Sequence, residues 1–253
     1  FLPDYDIVTP RRLAEALDLL ENSAGAMRPL AGGTDLMVAL DAGTLPSGTY
    51  LNLWELDELR HIKVDDGNLT IGALCTYTDV ATHEIIAKEF PMLVEAAQRT
   101  GAVAIQNRGT IGGNIMNASP AADSPPALLA YNATIELRCA DAVRTLPYAT
   151  FHTGYKQTER RPTELLTNIT LPRRTKPEHR HYYRKVGTRS AQAISKVCIA
   201  AWADTANGLV RDIRIGLGSV APTPVRALAT EAVLRGSRPQ NNVIVDAISA
   251  LRK

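Results

Sequence analysis

The chain has 253 residues and a formal net charge of +2, without the dense basic stripe of a nucleic-acid-binding protein, so no nucleic-acid partner is expected. Hydrophobic residues make up 45% and charged residues 21%, the balance of a soluble globular protein with a real core, and no apolar run is long enough to span a bilayer. The three cysteines, Cys75, Cys139 and Cys198, lie far apart without CxxC or Cys/His spacing, which argues against structural zinc or an iron–sulfur cluster on this chain. All three are expected to be buried small apolar side chains. With no leader pattern at the start, the free thiols suit a reducing, cytoplasmic setting.

From the N-terminus, Thr9-Pro10 reads as an N-cap followed by proline at the first helical position. Leu13, Ala16, Leu17 and Leu20 then give helical spacing over 10–22. Met27–Leu30 is a short apolar strand running into Gly32-Gly33, Tyr50–Leu53 is another strand, and Leu69, Ile71 and Ala73 alternate as a half-buried one. Residues 78–100 read as helix broken near Pro91. A second glycine-rich turn follows at 109–114, and Ser124–Tyr131 starts a short helix at Pro125-Pro126. Ala133, Ile135, Leu137 and Cys139 alternate with polar residues in the clearest strand of the chain, and Leu165–Leu171 gives another, closed by Pro172.

The segment Pro172–Pro177 reads as a boundary. The basic run from Arg173 to Lys185 includes Arg174, Lys176, His179, Arg180, His181 and Arg184. It reads either as a solvated linker with a strand edge or as a surface that meets an anionic group or a partner. Ile213, Ile215 and Leu217 form a further strand. Val225, Leu228, Ala229, Ala232 and Val233 are spaced as a helix, as are Ile244, Ala247, Ile248 and Leu251. The fold class is α+β with two lobes.

The glycine pairs carry the functional reading. A diphosphate needs backbone N–H groups aimed inward, and glycine lets the backbone approach closely or adopt positive φ. Ala31-Gly32-Gly33-Thr34-Asp35-Leu36 follows a strand and precedes a helix start. Gly109-Thr110-Ile111-Gly112-Gly113-Asn114 repeats the idea, with Thr34 and Thr110 as hydroxyl donors and Asn114 able to donate and accept. Neither is a GxxxxGK[ST] or a GxGxxG motif, which argues against a P-loop or Rossmann site. Together the two turns suit one long ligand with a central diphosphate. The five histidines show no metal spacing, no acid–base pair stands out, and no metal site is expected.

Three features in order, AGGTDL at 31–36, TIGGN at 110–114 and SPxxD ending at Asp123, resemble the FAD-binding medium subunit of molybdenum hydroxylases of the xanthine dehydrogenase and carbon monoxide dehydrogenase type. The resemblance covers nearly the whole chain. It implies a two-part, PCMH-type FAD-binding domain over 1–172 (subdomains about 1–56 and 57–172) and a smaller α+β C-terminal domain over 178–253. It implies FAD as cofactor, with Leu30, Ala31, Gly32, Gly33, Thr34, Asp35 and Leu36 around the diphosphate and Thr110, Ile111, Gly112, Gly113 and Asn114 on its other side. Asp123 would accept a hydrogen bond from a sugar or ribityl hydroxyl; read from the residues, it is equally a helix N-cap before Ser124-Pro125. Leu166 would contact the cofactor through its backbone. Lys185 would lie near the isoalloxazine and stabilise negative charge there; read from the residues, it is equally an exposed strand lysine. Arg189–Ser195 also follows the family's pattern.

The implied role is an electron relay, from [2Fe–2S] clusters on a small partner subunit, through FAD, to NAD or another acceptor. A molybdenum-cofactor large subunit would carry out substrate hydroxylation. The alternative is a stand-alone FAD-dependent oxidoreductase of the same fold acting directly on a small molecule.

Overall fold

A computed structural model describes residues 4–173, 179–189 and 193–252. The N-terminal unit is built from β1 (Tyr5–Val8), α1 (Leu13–Asn22), β2 (Arg28–Leu30), α2 (Thr34–Asp41) and β3 (Gly48–Asn52). Its three strands form a parallel sheet in the order β1-β3-β2, with the helices as crossovers. The apolar stripe of α1 buries Ala16, Leu17 and Leu20 against Leu51, Leu53, Leu56, Leu59, Leu74 and Leu165. The helix begins at Leu13, later than Thr9-Pro10 predicts. Carboxylates meet N–H groups at its start instead: Arg11 N, just ahead of the N-cap, donates to Glu15 (2.8 Å), and Leu13 N, the first of the helix, donates to the distant Glu58 (2.6 Å).

The chain continues through β4 (Ile62–Val64), β5 (Asn68–Gly72), α3 (Tyr77–Thr82), α4 (Glu84–Glu89), α5 (Pro91–Arg99), α6 (Val103–Gln106), α7 (Ile111–Asn117) and α8 (Pro125–Ala130). Then come β6 (Thr134–Arg138), β7 (Val143–Pro147), the small hairpin β8 (His152–Gly154) and β9 (Gln157–Thr158), and β10 (Leu165–Pro172). Strands β4-β5-β10-β6-β7 make a five-stranded antiparallel sheet. Its buried face packs on α5, α7 and α8 in a second core around Leu69, Ile71, Phe90, Ile111, Ile115, Ile135 and Ile169. The predicted helix over 78–100 breaks at His83 as well as at Pro91. His83 both ends α3 and starts α4, its ring nitrogen accepting from Ile86 N.

The remaining elements are β11 (His179–Val186), β12 (Val197–Ala206), β13 (Leu209–Gly218), β14 (Val225–Arg226), α9 (Leu228–Leu234) and α10 (Asn241–Leu251). The four strands form an antiparallel sheet in chain order. Val225, read as helical, instead pairs with Leu217, and the helix starts three residues later. Ala200 and Trp202 of β12 join the core of the five-stranded unit. A Cβ on Gly216 of β13 would collide with the Pro126 carbonyl of α8.

The basic run is structural where it is described. Arg173 makes a bidentate pair with Glu89 at 2.6 and 2.8 Å, and His179 to Lys185 form β11, alternating between inward and outward faces. Arg174 and Lys176, most of the Pro172–Pro177 boundary, and residues 190–192 of the Arg189–Ser195 pattern lie outside the described residues. Cys75 and Cys198 are buried, and burial pushes both thiols up to about 11. Cys139 departs from expectation: it is only half-buried, just past the end of β6 and beside Asp141.

Candidate functional site

The two cores leave a cavity of about 350 Å³ between them. Leu53, Leu59, Leu74 and Leu165 come from the first core, and Ala73, Met116 and Leu166 from the second core's side. Both glycine motifs open onto it: Ala31, Gly32, Gly33, Thr34, Asp35 and Leu36 from one, and Thr110, Gly112, Gly113 and Asn114 from the other. Leu30 and Ile111 flank the cavity without lining it. Ile111 is fully buried in the core, and Leu30 pairs with Asn52 in the sheet.

The two motifs are not equivalent, which corrects the reading of them as two similar turns. The first is open. Gly33, at φ 76°, is the N-cap of α2, and no side chain caps that helix. Helix geometry leaves the N–H groups of its first turn unpaired. Among the described residues, Gly32 and Gly33 likewise have no acceptor for their N–H groups. These donors converge at the positive end of the helix dipole, the arrangement that binds phosphate. Only glycine fits at position 32, because a Cβ there would collide with the Arg108 carbonyl oxygen.

The second motif is closed. It forms the first turn of α7, and its backbone donors are spent inside the protein. Ile111 N bonds Cys75 O (3.0 Å), Gly112 N bonds Ala73 O (2.9 Å), and Gly113 N bonds the Thr110 hydroxyl (3.0 Å) as an N-cap. Its glycines serve packing: a Cβ on Gly112 would come within 2.6 Å of Ala73. To the cavity it offers the Thr110 hydroxyl proton, the Asn114 carboxamide (whose oxygen accepts from Ser124 Oγ) and a surface without side chains.

Leu166 reaches the cavity through a register shift in β10 between Leu166 and Asn168. Such bulges re-aim a strand beside a site. Thr167 there donates to Glu136 (2.5 Å), and its carbonyl accepts from Ala73 N (2.9 Å). An open N–H cradle, small residues on the facing wall and apolar ends together fit a dinucleotide with a central diphosphate.

Asp123 and Lys185 lie elsewhere, on a second cavity of about 300 Å³ with Gly101, Ala102, Ile105, Ala193 and Ile194. Lys185 Nζ donates to Asp123 Oδ2 at 2.6 Å, and each side chain is 9% exposed. The other carboxylate oxygen accepts from buried Ser195 at 2.7 Å, and Thr100 Oγ1 lies 3.4 Å from Oδ2. Burial pushes the Asp123 carboxyl above its usual range, while the bonds from Lys185 and Ser195 oppose that shift. Neither reading from the residues alone survives: Lys185 is not an exposed strand lysine, and Ser124, not Asp123, occupies the N-cap of α8.

The fold and this site define an α+β protein with a glycine-lined cavity into which an uncapped helix N-terminus opens. Residues 3–174 match the family described as FAD binding domain in molybdopterin dehydrogenase, and residues 181–253 match the CO dehydrogenase flavoprotein C-terminal domain. The chain belongs to this family; FAD is its cofactor, and it is an oxidoreductase flavoprotein of the molybdenum hydroxylase medium-subunit type.

Similar proteins include the glyceraldehyde dehydrogenase medium chain of Sulfolobus acidocaldarius, 32% identical over 98% of this chain and 86% of the relative. The xanthine dehydrogenase FAD-binding subunit of Escherichia coli O157:H7 is 33% identical over 94% and 81%. Among solved structures, a carbon monoxide dehydrogenase from Hydrogenophaga pseudoflava matches with a TM-score of 0.94 at 28% identity, covering 99% of this chain and 86% of that one. No helix among the described residues is long and apolar enough to cross a membrane.

Several lining residues were not among the site residues expected from the sequence. Pro29, Tyr77, Asn117 and Arg160 reach the cavity from separate elements. Tyr77 could have been suspected from its place just after β5, but nothing about Arg160 distinguishes it from other surface arginines.

Proposed function

We propose that this chain is the electron-transferring FAD subunit of a molybdenum hydroxylase complex, with a molybdenum-cofactor large subunit and a [2Fe–2S] small subunit as partners. NAD or another acceptor takes the electrons onward. The observation that carries the reading is the uncapped N-terminus of α2, opening its free N–H groups onto the cavity beside α7 and Leu166. When bound, FAD supplies the one- and two-electron chemistry itself.

The chain's own residues bind, orient and tune. Gly32, Gly33 and the N–H groups of Thr34, Asp35 and Leu36 hold the diphosphate. Thr110 and Asn114 bond polar atoms from the facing wall, and Leu166 closes the apolar side. Lys185, fixed by Asp123, presents positive charge at the second cavity, where it stabilises negative charge on the reduced cofactor. On this reading Asp123 acts through Lys185. The FAD-binding part spans 1–172, divided near residue 56, and the C-terminal part spans 178–253. The names of the relatives, a medium chain and a FAD-binding subunit, support a chain that works within a larger assembly.

Co-purification from the native source tests this reading. A yellow chain that copurifies with molybdenum- and iron-containing subunits, and that turns over no substrate without them, is expected. A chain that isolates alone and oxidises a small molecule unaided would contradict it and favour the stand-alone oxidoreductase.

A further inference from the structure

The diphosphate cavity has a cation in its wall that the glycine motifs do not account for. Arg160 follows the β8–β9 hairpin and is half-buried against Leu165 and Leu166. Among the described residues lining that cavity, it is the only Lys or Arg. Its Nη1 is pinned by two carbonyl oxygens, Pro162 O at 2.9 Å and Glu164 O at 2.8 Å. It makes no ion pair among the described residues. The neighbouring Glu164 carboxylate is already taken by Arg144 (2.7 and 2.9 Å) and by Arg161 N (2.7 Å).

A guanidinium has five donors in a fixed fork, and only Nη1 is engaged here, so Nε and Nη2 remain for a ligand. Burial lowers its proton affinity, with Glu164 only partly offsetting that. A partly desolvated cation without an ion-pair partner among the described residues is costly. The fold holds this one in place with carbonyls, which orient the fork but do not neutralise it. The matching charge is the dianion that the α2 cradle is shaped to receive, since a diphosphate exceeds what backbone dipoles alone neutralise.

We propose that Arg160, which lines the same cavity as the N-terminus of α2, is the charge-pairing residue for the diphosphate, and that it makes this site select a nucleoside diphosphate over the uncharged nucleoside. The inference rests on the assignment of FAD to this cavity. It adds a specific cation to a site otherwise built from backbone N–H groups, the polar side chains of Thr110 and Asn114, and apolar walls.

Calorimetric titration of the FAD-stripped full chain with ADP and with adenosine tests it, without reference to turnover. The parent chain is expected to prefer ADP over adenosine. Arg160→Ala should weaken ADP binding about ten- to a hundredfold, leave adenosine binding within about twofold, and weaken FAD binding in proportion to ADP. Arg160→Lys, which keeps the charge but not the fork, should recover part of the loss and shows that the position tolerates substitution. Arg160→Ala that keeps the parent's preference for ADP, or that loses adenosine and ADP equally while Arg160→Lys also fails, would overturn the inference. A parent chain that binds neither ADP nor FAD would overturn the cofactor assignment instead.

Discussion

Gly32 and Gly33 look interchangeable in the sequence, yet each is required for its own reason. At Gly32 the obstacle is a neighbouring backbone carbonyl, which cannot swing aside as a side chain would. At Gly33 it is the backbone itself, at φ 76°, since a Cβ there would meet only Leu30 Cδ1, at an ordinary 3.9 Å. Gly32→Ala should therefore displace the 31–36 segment and weaken FAD binding by tenfold or more, about what a 1–3 kcal/mol overpacking strain produces. Gly33→Ala should cost about 1 kcal/mol through backbone strain alone. FAD fluorescence titration and urea denaturation separate the two.

Asp123 and Lys185 are 62 residues apart in sequence and carried no pairing signal, because nothing local links them. Removing one partner of a buried pair leaves an uncompensated charge, so Asp123→Ala should lose about 3–5 kcal/mol of stability. The double variant Asp123→Ala/Lys185→Met should recover most of that loss. Equal loss in the single and double variants would show that the pairing matters less than the space.

At the scale of elements, α2 and α7 face each other across the cavity with opposite solutions at their N-termini: one bare, one capped by its own threonine. Thr110→Val should cost about 1 kcal/mol by removing the bond to Gly113 N, and Thr110→Ser should keep it. Thermal denaturation reads both.

The contact between Tyr131, the C-cap of α8, and β11 is expected to depend on pH. Met92 N donates to Tyr131 Oη (3.1 Å), and the phenol stands 3.0 Å from His181 Nδ1. Burial holds the His181 imidazole below its usual range, and neighbouring His179 lowers it further. The unfolded chain, with an ordinary imidazole near about 6.5, takes the proton first. The contribution is therefore complete above that value and lost as pH falls below it toward the depressed one. Buried His152 has the same sign, so His181→Gln should flatten, without abolishing, the fall in Tm between about pH 7 and pH 5.

Elements were legible wherever an apolar period is strict, as along β6 and on the buried face of α1. They were obscured wherever tertiary partners replace apolar residues. In β11 the alternating pattern is present, but Arg, His, Tyr and Lys carry it, so charge masked a strand whose inward side chains bond to the other domain. The α1 start was misplaced because Glu58 stands in for a local cap.

Across the whole molecule, the cavity proposed for FAD lies between two cores, and its walls are drawn from segments spread from Pro29 to Leu166. Glycine is conspicuous, so the two motifs that line the cavity could be read from one sequence. Which of them keeps its N–H groups free could not, because Ala73 and Cys75, which occupy the donors of the second motif, belong to another element. Arg160 and the Asp123–Lys185–Ser195 cluster were hidden for the same reason.

The C-terminal sheet is tied to the rest through Tyr183, whose hydroxyl donates to the Asp123 carbonyl (3.0 Å), and through Arg226, which reaches Asn132 (2.7 Å) while paired with Glu231. The central claim is that FAD sits with its diphosphate on the bare N-terminus of α2. A crystal structure of the FAD-loaded chain tests it most directly. The account predicts diphosphate oxygens within about 3 Å of the N–H groups of Gly32 to Leu36; a diphosphate bound away from α2, with those groups facing only water, would contradict it.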